Sequence, residues 1–239
     1  GGIDRGVILC GPMEGAESDR FRAAELAEVL GWPLLADASS GQRLTGQGSP
    51  TLVTTADALL RSPEVADRLR PDLVLRFGKS PTSKACSRWL RDLAKTVLLV
   101  DATGRWMDPE HRLETLLVAD PATLIQELCS RLSPRKSAWL GQWQAVERRA
   151  REVLAQVSPD TLWSGSLVQT LVTQLGDCQL HVASSMAVRD LDTFAPATGA
   201  IQVSANRGTN GIDGTLATLL GQAVASQRPS ALLVGDLAF

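Results

Sequence analysis

The sequence predicts an α/β protein, with a doubly wound parallel-sheet domain followed by an incomplete second α/β domain. Short aliphatic runs alternate with segments of helical periodicity from about residue 7 to residue 132, a pattern typical of parallel strands joined by covering helices. The polar stretch 133–137 interrupts the alternation. We therefore predict a Rossmann-like domain over residues 1–132, a linker at 133–137, and a truncated second domain over 138–239.

The elements of the first domain follow from the spacing of its apolar residues. Runs such as Leu-Leu-Val at 98–100 suit buried strands, while the helical segments repeat apolar positions every three to four residues. Ser62 followed by Pro63 marks a helix start. The predicted strands are 7–10, 33–36, 73–77, 96–100 and 114–118, and the predicted helices are 18–30, 55–60, 62–69, 84–95 and 121–132. The polar stretch 37–50 is predicted to be a long functional or mobile loop.

The second domain is predicted by the same patterns. Its first helix, 138–157, has Trp139, Trp143, Val146 and Leu154 on roughly one side. Two further helices are predicted at 165–175 and 214–226. The predicted strands are 179–182, 201–204 and 231–234. This set is α/β again but holds only part of a sheet.

Composition limits the classes of function. The 239 residues are 44% hydrophobic and 21% charged with a net charge of −2, so we expect a globular protein without general affinity for nucleic acid or anionic membranes. No apolar run is long enough to span a membrane. The four cysteines form no CxxC pair, which argues against a zinc ribbon and for a reducing, cytoplasmic compartment. The chain has only two histidines, which argues against a His-rich metal site.

A glycine-rich loop near the end of the chain carries the clearest functional signal. Glycines 208, 211 and 214 lie between a predicted strand and a predicted helix, and Arg207 lies at the tip of the turn. Backbone N–H groups and a guanidinium together suit a phosphate or carboxylate. A tight crossover capped by Asn210 or Asp213 explains the same pattern without a ligand.

A single carboxylate follows the next predicted strand. Asp236 comes directly after Gly235, one crossover beyond the glycine loop. A carboxylate at the carboxyl end of a parallel strand is a suitable Mg²⁺ ligand. Gly-Asp pairs are common after strands, so this pair indicates a site mainly because it lies one crossover beyond the glycine loop.

The order of these motifs resembles a known family. The segment 206–214, Asn-Arg-Gly-Thr-Asn-Gly-Ile-Asp-Gly, followed by a helix and Val-Gly-Asp-Leu-Ala at 234–238, is similar to the start of the pyrophosphate domain of thiamine-diphosphate enzymes. It most resembles the 2-succinyl-5-enolpyruvyl-6-hydroxy-3-cyclohexene-1-carboxylate synthase family, in which Gly-Asp-Leu replaces the usual Gly-Asp-Gly. Segments 32–37 and 77–84 resemble that family's central domain, so the resemblance covers nearly the whole chain.

The resemblance implies a transferase of menaquinone and phylloquinone biosynthesis. Such an enzyme uses thiamine diphosphate with Mg²⁺ or Mn²⁺ to decarboxylate 2-oxoglutarate. It adds the resulting succinyl-semialdehyde carbanion to isochorismate, which gives the 2-succinyl product and CO₂. The resemblance further implies a cytoplasmic homo-oligomer whose active sites lie at subunit interfaces.

The cofactor residues are carried over by matching positions. Asp236 would be the metal ligand, with Gly235 beside the cofactor diphosphate. Ile212 would have the catalytic task of wedging under the cofactor and holding its two rings in a bent V shape. The simpler alternative is that Ile212 is only a residue of the hydrophobic core.

The substrate residues are carried over in the same way. Arg207 and Arg189 would bind substrate carboxylates, Ser185 would lie at the same anionic site, and Lys84 would reach it from the central domain. The plainer alternatives are a helix cap for Ser185, a surface ion pair for Arg189 and a solvated side chain for Lys84.

Some features depart from the family pattern. Ser184 stands where the family suggests Asn, and Ala85 where some members have Arg. The pyrimidine domain, with its activating glutamate, and the downstream Asn of the metal site are missing from the sequence. We therefore expect a fragment of a larger enzyme that is inactive alone and binds thiamine diphosphate only weakly.

Two alternatives remain open at this stage. One is another thiamine-diphosphate enzyme, of the acetohydroxyacid synthase or oxalyl decarboxylase type, which the Ile-Asp-Gly and Gly-Asp-Leu blocks disfavour. The other is a non-catalytic α/β binding or scaffold module whose glycine loop is structural.

Overall fold

The computed structural model describes residues 2–13, 22–45, 48–157, 162–197, 201–208 and 211–239. Two parallel sheets organise these residues. The strands are β1 Gly6–Cys10, β2 Leu34–Ala36, β3 Leu52–Val53, β4 Leu73–Phe77, β5 Thr96–Val100, β6 Leu113–Leu117, β7 Cys178–Val182, β8 Ile201–Ala205 and β9 Ser230–Leu233. The helices are α1 Ala23–Leu30, α2 Gln42–Thr45, α3 Ala56–Leu60, α4 Pro63–Arg68, α5 Lys84–Leu93, α6 Pro121–Arg131, α7 Ala138–Gln156, α8 Ser164–Gln174, α9 Met186–Phe194 and α10 Thr215–Ser226. Phe21 and the first turn of the helix predicted over 18–30 lie outside the described residues.

The first sheet confirms the doubly wound prediction. Its order is β3-β2-β1-β4-β5-β6, with every pair parallel. Alternate residues of β1 enter opposite cores, Val7 and Leu9 on one face and Ile8 and Cys10 on the other. A strand buried on both faces must be apolar throughout, which is why β1 reads as a continuous hydrophobic run.

The second sheet has three strands in the order β8-β7-β9. Its core lies between the sheet and helices α8 and α9, and it includes Leu180, Val182, Val188 and Leu191. Ala38 of the first unit also packs into this core. The two units therefore share a buried boundary.

Helix α7 packs on the first sheet although the predicted linker precedes it. Trp139 and Trp143 are buried with Val7 and Trp89, and Trp139 donates through Nε1 to the carbonyl of Gly6 at 2.9 Å. Ser137 caps the helix by accepting from the N–H of Leu140. The boundary at 133–137 stays a prediction, and this packing leads us to propose that the first unit extends through α7.

The predicted mobile loop at 37–50 is wrong for residues 37–43. Asp37, Ser39, Ser40, Gln42 and Arg43 are all buried, and the backbone forms a 3₁₀ turn at Ala38–Ser40 followed by α2. Polar side chains tolerate burial when each finds a hydrogen-bond partner. Ser39 and Ser40 bond locally to Asp37. Asp37 also accepts from the N–H of Thr82, and Arg43 pairs with Asp192, and local sequence patterns do not reveal these distant partners. The short strand β3 and helix α9 were likewise not predicted.

Backbone contacts join the loops that follow β1 and β4. These loops lie at the point of the first sheet where the strand order reverses, the usual ligand site in such folds. The N–H of Gly11 donates to Phe77 O at 2.9 Å, and the N–H of Lys79 donates to Pro12 O at 3.0 Å. A Cβ at Gly11 would come within 1.7 Å of the Lys79 carbonyl oxygen. The two loops thus meet backbone to backbone at Gly11 and Lys79.

A buried ion pair joins the two units. Arg43 of α2 and Asp192 of α9 are 3.0 Å apart, with 4% and 8% of their side chains exposed. Arg43 also donates to Ala36 O at 3.2 Å and to Asp192 O at 2.9 Å, and the N–H of Ala38 donates to Asp192 Oδ1 at 3.0 Å. The guanidinium therefore bonds both units at once.

Further buried hydrogen bonds lie beside the Arg43–Asp192 pair, and together these contacts form a seam between the two units. Thr193 of α9 donates to Asp57 Oδ2 at 2.8 Å, and Ser83 donates to Asp57 Oδ1 at 2.6 Å. Arg151 of α7 donates to Ala195 O at 3.2 Å while it pairs with Glu147. The carboxyl-terminal half of α9 is thus held to the first unit along its length.

Replacing Arg43 with Ala should cost about 3–5 kcal/mol of unfolding free energy above about pH 7, where Asp192 is ionised, because the buried carboxylate loses its charged partner. Urea denaturation followed by tryptophan fluorescence measures the change. Arg131→Ala is the matched control, since its pair with Glu127 is exposed and such pairs contribute at most about 1 kcal/mol. A loss for Arg43→Ala no larger than that of the control would contradict the structural role of the pair.

The pH dependence of stability provides a second prediction at this seam. Burial raises the pKa of Asp192 to about 7, and the nearby Asp37 raises it further while Arg43 opposes the shift. The folded state then holds a proton that the unfolded state releases, so this group stabilises the fold at low pH and the effect is lost as pH rises through about 7. In Asp192→Asn that part of the pH dependence should disappear. Unfolding free energies measured across this range test it, and parallel curves for the two proteins would contradict it.

Candidate functional site

Three loops at the carboxyl ends of the second sheet's strands form the candidate site. A turn at Ser184 and Ser185 follows β7, the glycine loop 206–214 follows β8, and Gly235 and Asp236 follow β9. Because all three strands are parallel, their carboxyl ends meet at one edge of the sheet. Segments separated by tens of residues in the chain become neighbours there.

Arg207 is a partly buried cation with an unpartnered donor. Its Nε atom is buried and has no hydrogen-bond partner among the described residues. Burial lowers the pKa of Arg207, Asp37 and Asp192 act to raise it, and Arg189 lowers it. The guanidinium therefore lies near acidic groups of the seam and near a second guanidinium. Arg207 also lines a cavity beside the glycine loop, where a guanidinium suits an anionic ligand.

Arg189 and Ser185 lie on the neighbouring loop. Ser185 is exposed at the N-cap position of α9, and its side chain makes no capping bond, so the helix-cap alternative fails. Arg189 donates to the carbonyl oxygen of Ser185 at 2.5 Å and to that of Ser184 at 3.4 Å. The guanidinium is thus folded toward the start of its own helix rather than into a surface ion pair.

Ser184 connects the two arginine-bearing loops. Its hydroxyl donates to the carbonyl oxygen of Asn206 at 2.6 Å, and the Asn206 side chain donates to Thr218 of α10 at 3.2 Å. The loop after β7, the loop after β8 and helix α10 are therefore linked by hydrogen bonds. Sequence reasoning noted Ser184 only as a departure from the family pattern.

Ile212 is exposed, which excludes the core-residue alternative. Its side chain is 52% exposed and lines a shallow groove of about 370 Å³ together with the end of the chain. The other apolar side chains of this groove are Leu216, Leu220, Leu237 and Phe239. The Ile212 turn and the turn that begins with Asp236 are therefore side by side.

The glycine loop enters α10 without a side-chain cap. The N-cap residue is Gly214 and no side chain caps the helix, so the alternative in which Asp213 caps a purely structural crossover fails, and Asn210 lies outside the described residues. Gly214 has φ of +79°, a left-handed conformation that favours glycine. The free helix start and the exposed Ile212 leave this turn open to solvent.

Gly235 and Asp236 are also open to solvent. A Cβ at Gly235 would meet no atom within 4 Å, and Asp236 is exposed at the first position of the 3₁₀ turn Asp236–Ala238. Within the described residues no three His, Cys, Asp or Glu side chains cluster as a metal site. Asp236 therefore stands there as a single candidate oxygen ligand.

Lys84 lies in a different groove from the other candidate residues. It is the exposed first residue of α5 and faces a groove between α3, α4 and α5, lined by Leu60, Ala66 and Trp89 among others. The first unit instead presents Lys79, which lines a cavity shared with Arg207. The only sequence signal for Lys79 is a Gly-Lys pair directly after a strand.

A larger cavity adjoins the glycine loop on its other side. Its volume is about 720 Å³, and it lies between the first unit, strands β7 and β8, and helix α10. Its lining includes Met13, Ser39 and Lys79 from the first unit, and His181, Ser204 and Arg207 from the second. This volume falls within the usual range of small-molecule sites.

In the described parts of the chain, no helix is both long enough and apolar enough to cross a bilayer.

Comparison with known proteins agrees with the resemblance seen in the motifs. The chain is 39% identical over 98% of its length to a 2-succinyl-5-enolpyruvyl-6-hydroxy-3-cyclohexene-1-carboxylate synthase of Myxococcus xanthus, and 36% identical over 100% of its length to the Bacillus velezensis enzyme of that name. It covers 40% and 42% of those two relatives, respectively. The Listeria innocua enzyme of that name is 34% identical over 98% of the chain.

Residues 3–182 match a family described as the middle domain of thiamine pyrophosphate. The matched region ends with β7, just before the three loops of the candidate site. It covers most of the chain, and its α/β architecture is the one observed in the first sheet. The chain therefore belongs to the thiamine pyrophosphate middle-domain family.

Proposed function

We propose that this chain is part of a thiamine-diphosphate-dependent synthase that decarboxylates 2-oxoglutarate and joins the product to isochorismate. The observation that carries the proposal is the convergence at one sheet edge of two arginines, an exposed isoleucine and an exposed carboxylate. The likeness of the whole chain to synthases of that name supports the choice of substrates.

The substrate part of the site is formed by Arg207, Arg189 and Ser185. Both proposed substrates carry several carboxylates, and guanidinium groups bind carboxylates through paired hydrogen bonds. Arg207 brings a half-buried guanidinium to the cavity beside the glycine loop, and Ser185 offers an exposed hydroxyl that the helix does not use. Ser184 holds the two loops together through Asn206, so the two cations keep a fixed relation.

The cofactor part of the site fits thiamine diphosphate. Asp236 would hold Mg²⁺ or Mn²⁺ against the diphosphate, since both are hard cations that prefer oxygen ligands, and open space at Gly235 lets a ligand approach the backbone. Ile212 would pack against the cofactor with its exposed side chain. When bound, the cofactor supplies the electron sink for decarboxylation. The role of this chain's own residues is to bind and orient the anionic partners.

The setting of the enzyme is part of the same proposal. We propose a homo-oligomer with active sites at subunit interfaces, because Ile212, Leu237 and Phe239 leave an apolar groove exposed at the site. The four cysteines are free thiols, which supports a reducing, cytoplasmic location. Lys84 stays a proposed contributor from the first unit, with Lys79 favoured over it by position.

Replacing Arg207 with Ala in this synthase should lower kcat/KM for the carboxylate substrates roughly ten- to a hundredfold. Losing a charge-assisted hydrogen bond costs about 1.5–3 kcal/mol. Steady-state kinetics with 2-oxoglutarate and isochorismate measure the effect, and Arg131→Ala on the exposed face of α6 serves as the control. Wild-type kcat/KM for Arg207→Ala, with both substrates, would refute the assigned role.

Replacing Asp236 with Ala should raise the Mg²⁺ and thiamine-diphosphate concentrations needed for half-maximal activity by at least about tenfold, because the metal loses an anionic oxygen ligand. The fold should be unaffected, since Asp236 is exposed. Calorimetric titration of cofactor with metal present is the measurement, and Asp67→Ala, at an exposed surface pair of the first unit, is the control. Identical titrations for Asp236→Ala and wild type would exclude the metal role.

A further inference from the structure

The chain has a single aspartate that is followed directly by glycine, Asp213 before Gly214. The pair lies in the turn that leads into α10, and both residues are exposed. Asp213 borders the 720 Å³ cavity on one side and the Ile212 groove on the other. The function proposed above assigns its carboxylate no role.

The Asp213 carboxylate makes no hydrogen bond with any described residue. An aspartate at the start of a helix usually accepts from a backbone N–H of the first turn, as Asp120 does from Thr123 at 2.9 Å. Such a bond holds the side chain in one rotamer. The Asp213 side chain lacks that restraint, so it can rotate toward its own backbone.

The backbone nitrogen of Gly214 is also unengaged. Its N–H donates to no described residue, and a Cβ placed on Gly214 would meet no atom within 4 Å. The groups on either side are anchored instead, because the Thr215 hydroxyl donates to Ile212 O at 2.9 Å and the N–H of Thr218 donates to Gly214 O at 2.8 Å. The Gly214 nitrogen and the Asp213 carboxyl carbon thus belong to adjacent residues, and no hydrogen bond holds either one away from the other.

These two groups can react with each other without a catalyst. The Gly214 nitrogen attacks Cγ of the protonated Asp213 side chain, the nitrogen loses its hydrogen, and the carboxyl hydroxyl leaves as water, which closes a five-membered succinimide ring. Water then opens the ring at either carbonyl. Opening at the original backbone carbonyl routes the chain through Cγ and gives isoaspartate, with no oxidant or reductant involved. Glycine favours the attack because it has no side chain beside the nitrogen.

We propose that Asp213 is a modification site at which isoaspartate forms spontaneously through attack by the Gly214 nitrogen. The reaction needs only water, so it proceeds in the chain by itself and does not depend on the proposed function. Its product is an exposed carboxylate on a lengthened backbone, which is the group that isoaspartyl methyltransferases recognise.

The modification changes the turn that carries Ile212. Isoaspartate lengthens the backbone by a methylene group between Ile212 and Gly214, so the bonds from Thr215 to Ile212 O and from Thr218 to Gly214 O cannot both keep their geometry. Ile212 and the start of α10 are then displaced relative to each other. In the proposed synthase this displacement affects the side chain assigned to the cofactor.

Incubation of the full chain in warm, mildly acidic buffer tests the proposal, because the side chain must be protonated to lose water. Trypsin releases residues 208–228 as one peptide. Liquid chromatography with tandem mass spectrometry should show an isomer of this peptide that has unchanged mass, accumulates with time and carries isoaspartate at position 213. Unchanged mass is the specific signature, since the Asn-Gly pair at 210–211 in the same peptide gains mass when it deamidates.

Variants of Asp213 separate this source from others. Asp213→Glu should lose the isomer, because the longer side chain would have to close a less favourable six-membered ring. At neutral pH, Asp213→Asn should form the same succinimide faster than wild type, because an uncharged amide reacts without first binding a proton. Asp67→Glu, at an exposed aspartate that precedes arginine, is the matched control and should leave the yield unchanged.

A synthetic peptide of residues 208–228 supplies the reference for an unrestrained chain. An isomer that forms in this peptide but not in the folded chain would overturn the proposal, because the fold would then keep the Gly214 nitrogen and the Asp213 Cγ apart. Equal yields of the isomer from wild type and Asp213→Glu would also overturn it, since another residue would then be the source.

Discussion

The buried pair of Arg43 and Asp192 is the interaction on which the placement of the site depends. Two charges removed from water are tolerated only when each is fully bonded, and here Arg43 bonds carbonyl groups of both units as well as the carboxylate. Asp192 lies on α9, whose first turns carry Ser185 and Arg189. By fixing one end of α9 against the first unit, the pair also fixes the end that faces the proposed ligands.

The rest of the site follows from this constraint and from the geometry of a parallel sheet. Parallel strands bring their carboxyl ends to one edge, so the loops after β7, β8 and β9 meet without any local signal in the sequence. Ser184 then connects the first two loops through Asn206, and Asp37 and Asp192 of the seam lie close enough to favour the charged form of Arg207. The cation that binds the anion is thus stabilised by the same carboxylates that hold the units together.

The sequence predicted what depends on local pattern and missed what depends on distant partners. The alternating strands and helices, the Ser62 cap and the glycine loop are all encoded within a few neighbouring residues. The buried segment 37–43 has the sequence pattern of a loop because Asp37 and Arg43 find partners at Thr82 and in α9. Lys79 was missed for the same reason, because the cavity that it lines exists only once the two sheets have packed.

The glycine loop lies between two environments of opposite character. Asn206, Arg207 and Gly208 line the polar cavity, whereas Ile212 and Gly214 line the apolar groove beside the Asp236 turn. A Cβ at Gly208 or Gly214 would meet no atom within 4 Å, but Gly214 needs its left-handed backbone to turn into α10. In the proposed synthase one face suits the rings of a cofactor and the other suits multiply charged acids. A single loop that touches both can hold an anion close to an apolar surface, where the charge of Arg207 is less screened by water than it would be on an open face.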